Sequence, residues 1–189
     1  MNRRAERSTL LARRRARGFT LVELMAVVAI TGIMAALAVA ALRNRVLASD
    51  TTSAKVVVKS IVAAEEHYRA ENQLYFDVSS SGASGWYPSG TIGPKNKMSF
   101  WLASGGDTAN WRTLAPDIRQ PVSFGFRANA GLPTDTPKFE NDLTSIPIPA
   151  VTEPWYLIQA RADSNGNGVY CMVAAASWTP EVFAVNDGE

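Results

Sequence analysis

A chain of 189 residues with 47% hydrophobic side chains is long enough for one domain with a true core and short for two. Its formal charge of +2 conceals an asymmetry: residues 1–18 carry seven Arg and one Glu, and the remainder carries 12 basic and 16 acidic side chains, a net of −4. The basic character therefore sits in one terminal segment beside an apolar run, where a membrane face explains it, and no direct nucleic-acid partner is expected. Cys171 stands alone, which excludes an intrachain disulfide and reads as a buried small hydrophobe, and the single histidine, His67, excludes His-rich metal sites.

In chain order, the first predicted element is the run from Phe19 to Leu42, 24 residues whose only charge is Glu23. As a helix it measures about 36 Å, enough to cross a hydrocarbon core of about 30 Å with some tilt. Arg13, Arg14, Arg15 and Arg17 precede it, and Arg43 and Arg45 close it. The denser positive cluster orients the N-terminal end to the cytoplasm and sends the rest of the chain across the membrane. A secretory signal has an apolar stretch of about 7–15 residues followed by small residues of the A-x-A kind, and this run is too long for one. An ordinary membrane anchor fits the length but leaves Glu23 unexplained, because a carboxylate inside the bilayer asks for a partner.

The residues around the basic-to-apolar boundary, Arg17-Gly18-Phe19-Thr20-Leu21-Val22-Glu23-Leu24, resemble the processing and methylation site of type IV pilins and type II secretion pseudopilins. The resemblance implies that a prepilin peptidase/methyltransferase cuts after Gly18, that Phe19 becomes the N-methylated terminus, and that Glu23 pairs with the N-terminal amine of a neighbouring subunit during assembly. Two charges that neutralise each other inside a helical bundle avoid two separate desolvation penalties, which agrees with that role. Ala40 occupies the position where major pilins often carry a kinking proline, which points toward a minor pilin or pseudopilin. The resemblance further implies other pilin or pseudopilin subunits, an assembly platform and its ATPase as partners. It places the precursor in the bacterial inner membrane with a periplasmic head, and the product in a cell-surface or periplasmic filament.

Beyond Leu42 the helical signal turns amphipathic, with Leu47, Ala54, Val57, Ile61, Ala64 and Tyr68 along one face, so one helix over about 19–73 is expected. Its polar faces are read as Lys55, Lys59, Glu65, Glu66, Arg69 and Glu71. The Ser/Gly/Pro-rich stretch 77–96 reads as a connecting loop. Residues 121–130, with Val122, Phe124 and Phe126 alternating, read as a half-buried strand, preceded by Trp111 and Leu114 as core padding. Five prolines in 131–154 predict a surface excursion without regular structure. Runs 155–162 and 169–176 flank Asp163-Ser164-Asn165-Gly166-Asn167-Gly168, strong turn chemistry that predicts a hairpin, and a last short strand is expected over 181–185.

The expected fold is α+β and pilin-like: one long N-terminal helix, transmembrane and then amphipathic, packed on an antiparallel β-sheet head. Its segments are a basic leader 1–18, a membrane or filament-core helix 19–42, an amphipathic continuation 43–75 and a globular head 76–189. Asp163, Asn165 and Asn167 alternate as in the first half of a calcium loop, but the twelfth position is Ala174 and the flanks are strand-like. Calcium held with a distant carboxylate and an ion-free Asn/Gly turn both remain open. No Gly-x-Ser-x-Gly, Cys/His pair or phosphate-binding loop is present, so no catalytic role is assigned. The functional expectation is a structural filament subunit. The alternatives are a pilus-tip adhesin or DNA-uptake subunit on the same scaffold and a membrane-anchored ligand-binding domain, with the five Trp offering either a binding surface or ordinary packing.

Overall fold

The computed structural model describes residues 18–79, 85–89, 93, 96–105, 107–139, 143 and 146–187. Apart from Gly18, the expected leader 1–18 lies outside the described residues. The elements are α1 (Leu21–Asn72), β1 (Met98–Ser99), α2 (Thr108–Leu114), β2 (Pro121–Val122), β3 (Gly125–Gly131), β4 (Trp155–Ala162), β5 (Cys171–Ala176) and β6 (Thr179–Val185). Contacts divide the chain into two units, one ending at Ala41 and one beginning at Leu42.

In the first unit, Leu21–Val39 is long and apolar enough to cross a membrane. Its large side chains from Leu21 to Val39 are more than half exposed all around the helix, an apolar surface that calls for lipid or other helices around it. Thr31 fits such surroundings, because its hydroxyl donates back to the carbonyls of Val27 (2.8 Å) and Val28 (3.1 Å) and brings no unpaired donor.

In the second unit, α1 buries Ala54, Val57, Val58 and Ile61, with Ala64 and Tyr68 packed at the edge of the same cluster. The expected apolar face is thus the packed one. Glu65 departs from expectation: it lies on that face, fully buried, and not among the solvated charges. Asp50, fifteen residues earlier and about 60° away around the helix, is also buried. The helix ends at Gln73, which adopts the left-handed conformation (φ 65°) and donates its N–H to the Arg69 carbonyl at 2.8 Å, a left-handed cap made without glycine.

The sheet is antiparallel in the order β3-β4-β5-β6, each strand beside its chain neighbour. Ile158 sits opposite Ala128 on one side and Ala175 on the other, which fixes the register of the centre. One face, with Phe126, Ala128, Tyr156, Ile158, Ala160, Cys171, Val173 and Ala175, joins the cluster that contains the helix stripe. The expected strand over 121–130 divides in two: β2 pairs with β1 in a separate ribbon, and β3 begins at Gly125. The hairpin β4–β5 forms as expected, and α2 is an element the sequence reading lacks, although its Trp111 and Leu114 are buried as anticipated.

The other face of the sheet corrects the reading of 131–154 as a surface excursion. Leu143 is fully buried and Ile146 nearly so, packed on Met172 and Ala174, while Trp155, Leu157 and Ala176 form a further cluster with Phe139 and Val151. Proline prevents regular hydrogen bonding but not burial, and a sheet apolar on both faces needs a second cover. At Gly131 the backbone meets the Trp155 ring so closely that a Cβ would stand 2.5 Å from Cζ2. That approach lets the indole N–H donate to the Leu132 carbonyl at 3.0 Å.

Candidate assembly site at the N terminus

Gly18, Phe19 and Thr20 precede α1 in non-helical conformation and are exposed, Phe19 at 82%. Thr20 starts the helix. Its carbonyl accepts the first helical N–H, from Leu24 at 3.2 Å, and its hydroxyl accepts the Glu23 N–H at 3.2 Å. Glu23 answers: its Oε2 accepts the Thr20 backbone N–H and the Thr20 hydroxyl, both at 3.0 Å. This is a reciprocal capping box, which satisfies donors that a helix start leaves bare. The negative charge also stands at the positive end of the helix macrodipole. The sequence reading passed over Thr20, although Thr-x-x-Glu ahead of an apolar run is the signature of this cap.

Glu23 therefore does not wait as a bare charge for a neighbour. One oxygen is held by Thr20, and among the described residues nothing bonds Oε1. The arrangement fixes the carboxylate on the outside of an apolar helix with one oxygen open, the geometry required to accept an ammonium N–H without losing the cap.

The other sequence candidates stand elsewhere. Asp163, Asn165 and Asn167 come together in one exposed turn, where Asp163 Oδ1 accepts the Gly166 N–H (2.7 Å) and Oδ2 the Gly168 N–H (2.9 Å). Asn165 and Asn167 likewise accept the N–H of Asn167 (2.9 Å) and Val169 (2.7 Å). Gly166 and Gly168 supply the positive φ of 80° and 85° that the turn needs. These bonds account for the turn's shape, and no group of three or more His, Cys, Asp or Glu that could hold a metal is found among the described residues. His67 is exposed beside Glu71, with Nδ1 3.9 Å from Oε1. Cys171 is buried, its sulfur 3.5 Å from the Thr51 hydroxyl. Of the tryptophans, Trp111 and Trp155 are buried, and Trp86, Trp101 and Trp178 pack against apolar clusters.

Residues 13–39 match the family described as the Prokaryotic N-terminal methylation motif, which spans the capping box and the apolar helix. The chain is pilin-like. This pilin-like chain is 43% identical over 65 residues to the type II secretion system core protein G of Pseudomonas aeruginosa, covering 34% of this chain and 46% of that one. It is 30% identical over 132 residues to the type IV major pilin protein PilA of Myxococcus xanthus, covering 65% of this chain and 57% of the relative. The chain spans about half the length of these curated relatives. No solved structure matches it significantly. The pilin-like arrangement is nevertheless visible in the structure, as an apolar N-terminal helix followed by its amphipathic part and an antiparallel sheet.

Proposed function

We propose that the chain is a structural filament subunit, a minor pilin or type II secretion pseudopilin, cut between Gly18 and Phe19, methylated on the Phe19 amine and assembled through the helix that follows. The observation that carries this reading is an apolar helix, exposed all around, with a single capped carboxylate at its head. In the precursor the helix lies in the inner membrane with the head in the periplasm; after assembly, neighbouring helices replace lipid around it. Phe19, once it carries a free amine, offers an ammonium, and Glu23 Oε1 of an adjacent subunit accepts it. The working partners are the prepilin peptidase/methyltransferase, other pilin or pseudopilin subunits, and the assembly platform with its ATPase. Intact mass of the membrane-extracted protein tests the first step. The expected mass lacks residues 1–18 and carries one added methyl group; a chain that retains 1–18 overturns the assignment.

A pilus-tip adhesin or DNA-uptake subunit on the same scaffold is the second reading. It is favoured by one corner of the sheet, where the Arg161 guanidinium lies 4.4 Å from the Trp86 ring and 4.8 Å from the Tyr170 ring, a basic and aromatic pairing suited to anionic ligands.

A further inference from the structure

After α1 the chain reverses over residues 73–79 and runs back along the sheet. It is anchored at its far end, where Ser79 donates its N–H to the Ala128 carbonyl at 2.9 Å, and Val78 is fully buried. Near the helix it is held by rings, Phe76 on Tyr68 at 5.0 Å and Tyr75 edge-on to Tyr156 at 4.9 Å. Beneath it lies Glu65. Glu65 Oε2 accepts the Phe76 N–H at 2.9 Å, while Oε1 is buried without a hydrogen-bond partner.

Burial is the main force against ionisation of Glu65, the Phe76 N–H works the other way, and the neighbouring carboxylates add to burial. Asp77 from the reversing segment and Glu66 from the helix itself are both acidic, and from β4 it is faced by the Tyr156 hydroxyl, itself pushed up by burial. Asp77 is occupied by the Ala130 N–H (3.3 Å) and the Asn129 amide (3.4 Å). Arg69 is turned to Tyr75 (2.7 Å) and Glu153 (3.5 Å). A neutral carboxyl suits this place: with the proton on Oε1, Oε2 still accepts the Phe76 N–H. An ionised one would be a buried charge with one hydrogen bond and acidic neighbours, a state that drives water in.

We propose that Glu65 is a proton-controlled latch on the segment that leaves α1: neutral, it holds residues 73–79 against the helix, and on losing its proton to solvent it releases them. Burial, opposed by the Phe76 N–H and assisted by Asp77 and Glu66, raises the Glu65 carboxyl from 4.5 to about 8. The closed form thus binds the proton more tightly than the open one. Its advantage is complete below pH 4.5, shrinks as pH rises, and has reached its lowest value once pH passes about 8. Between those limits one proton of linkage changes the opening constant by about tenfold per pH unit.

The test uses the full chain in detergent micelles, with Glu65 followed by its 13Cδ shift and the Phe76 amide by hydrogen exchange, corrected for hydroxide catalysis and referenced to the Ile158 amide in the sheet centre. The expected result is a Glu65 midpoint at least two pH units above that of an exposed glutamate. Phe76 protection should fall with rising pH over the same interval, while Ile158 keeps its protection. Glu65→Gln, which keeps the acceptor and cannot ionise, is expected to remove the slope at Phe76. A wild-type Glu65 that titrates like an exposed glutamate, or a Phe76 amide that tracks Ile158 throughout, overturns the latch even if the variant fails to fold. A slope that persists in a folded Glu65→Gln overturns it equally.

Discussion

Thr20 and Glu23 hold each other through three hydrogen bonds of 3.0–3.2 Å, so the observed cap uses Glu23 Oε2 and leaves Oε1 for the pairing with a neighbour's amine that we propose. A substitution that keeps the cap can therefore be separated from one that removes the charge. Glu23→Gln retains an acceptor for the Thr20 donors but cannot neutralise an ammonium, whereas Glu23→Ala loses both functions. Both are expected to insert in the membrane and lose residues 1–18 normally, and both are expected to be depleted from sheared filaments relative to wild type. Fractionation of filaments against membranes reads this, and equal incorporation of Glu23→Gln would show that charge pairing is not what assembly uses. Thr20→Val should lower protection of the Glu23 amide while leaving the charge in place. At this scale the sequence marked Gly18, Phe19 and Glu23 through their resemblance to a processing site, while the part played by Thr20 depends on α1 starting at Leu21 and not at Phe19.

Among the elements, the β4–β5 turn and the proline-rich stretch 131–154 invite opposite expectations from the ones composition suggests. The turn looks like half of a calcium loop, but both Asp163 oxygens accept backbone N–H groups within it. Its conformation is satisfied without an ion, so the melting curve of the protein is expected to be the same in millimolar calcium and in chelator. A rise in calcium that Asp163→Ala abolishes would instead identify an ion site, since a ligand of the folded state stabilises it by mass action. The proline-rich stretch looks dispensable, but Leu143 is as buried as any residue of the sheet. Leu143→Ala is expected to cost about 2–5 kcal/mol, as buried leucines do. Leu102→Ala, at 88% exposure, should change stability by less than about 0.5 kcal/mol. Urea melts of the two variants compare them directly, and equal midpoints would contradict the second apolar layer.

For the whole molecule, what could be read from the chain and what could not divide along a physical line. Sequence alone determined the long helix, the β4–β5 hairpin and the antiparallel α+β class, because each rests on a local periodicity: apolar residues three and four apart, alternation by two, or Asp, Asn and Gly where φ turns positive. The N-terminal motif was legible too, because the basic cluster, Gly18-Phe19 and the apolar run with Glu23 are contiguous in the chain, and the cleavage and charge pairing proposed for it await the experiments above. Only the tertiary structure decided which polar residues are buried. Glu65 lies on the helix stripe by its spacing, but whether a charge at the margin of a stripe is solvated depends on what folds over it, and the segment 73–79 reaches it through the Phe76 N–H. The same holds for the second cover of the sheet: Leu143 and Ile146 carry no period, since prolines interrupt it, and their burial follows from the demand of an apolar face formed by Met172 and Ala174. Local patterns specify elements because backbone geometry repeats along the chain; burial of an isolated side chain is set by distant segments that meet it only after folding.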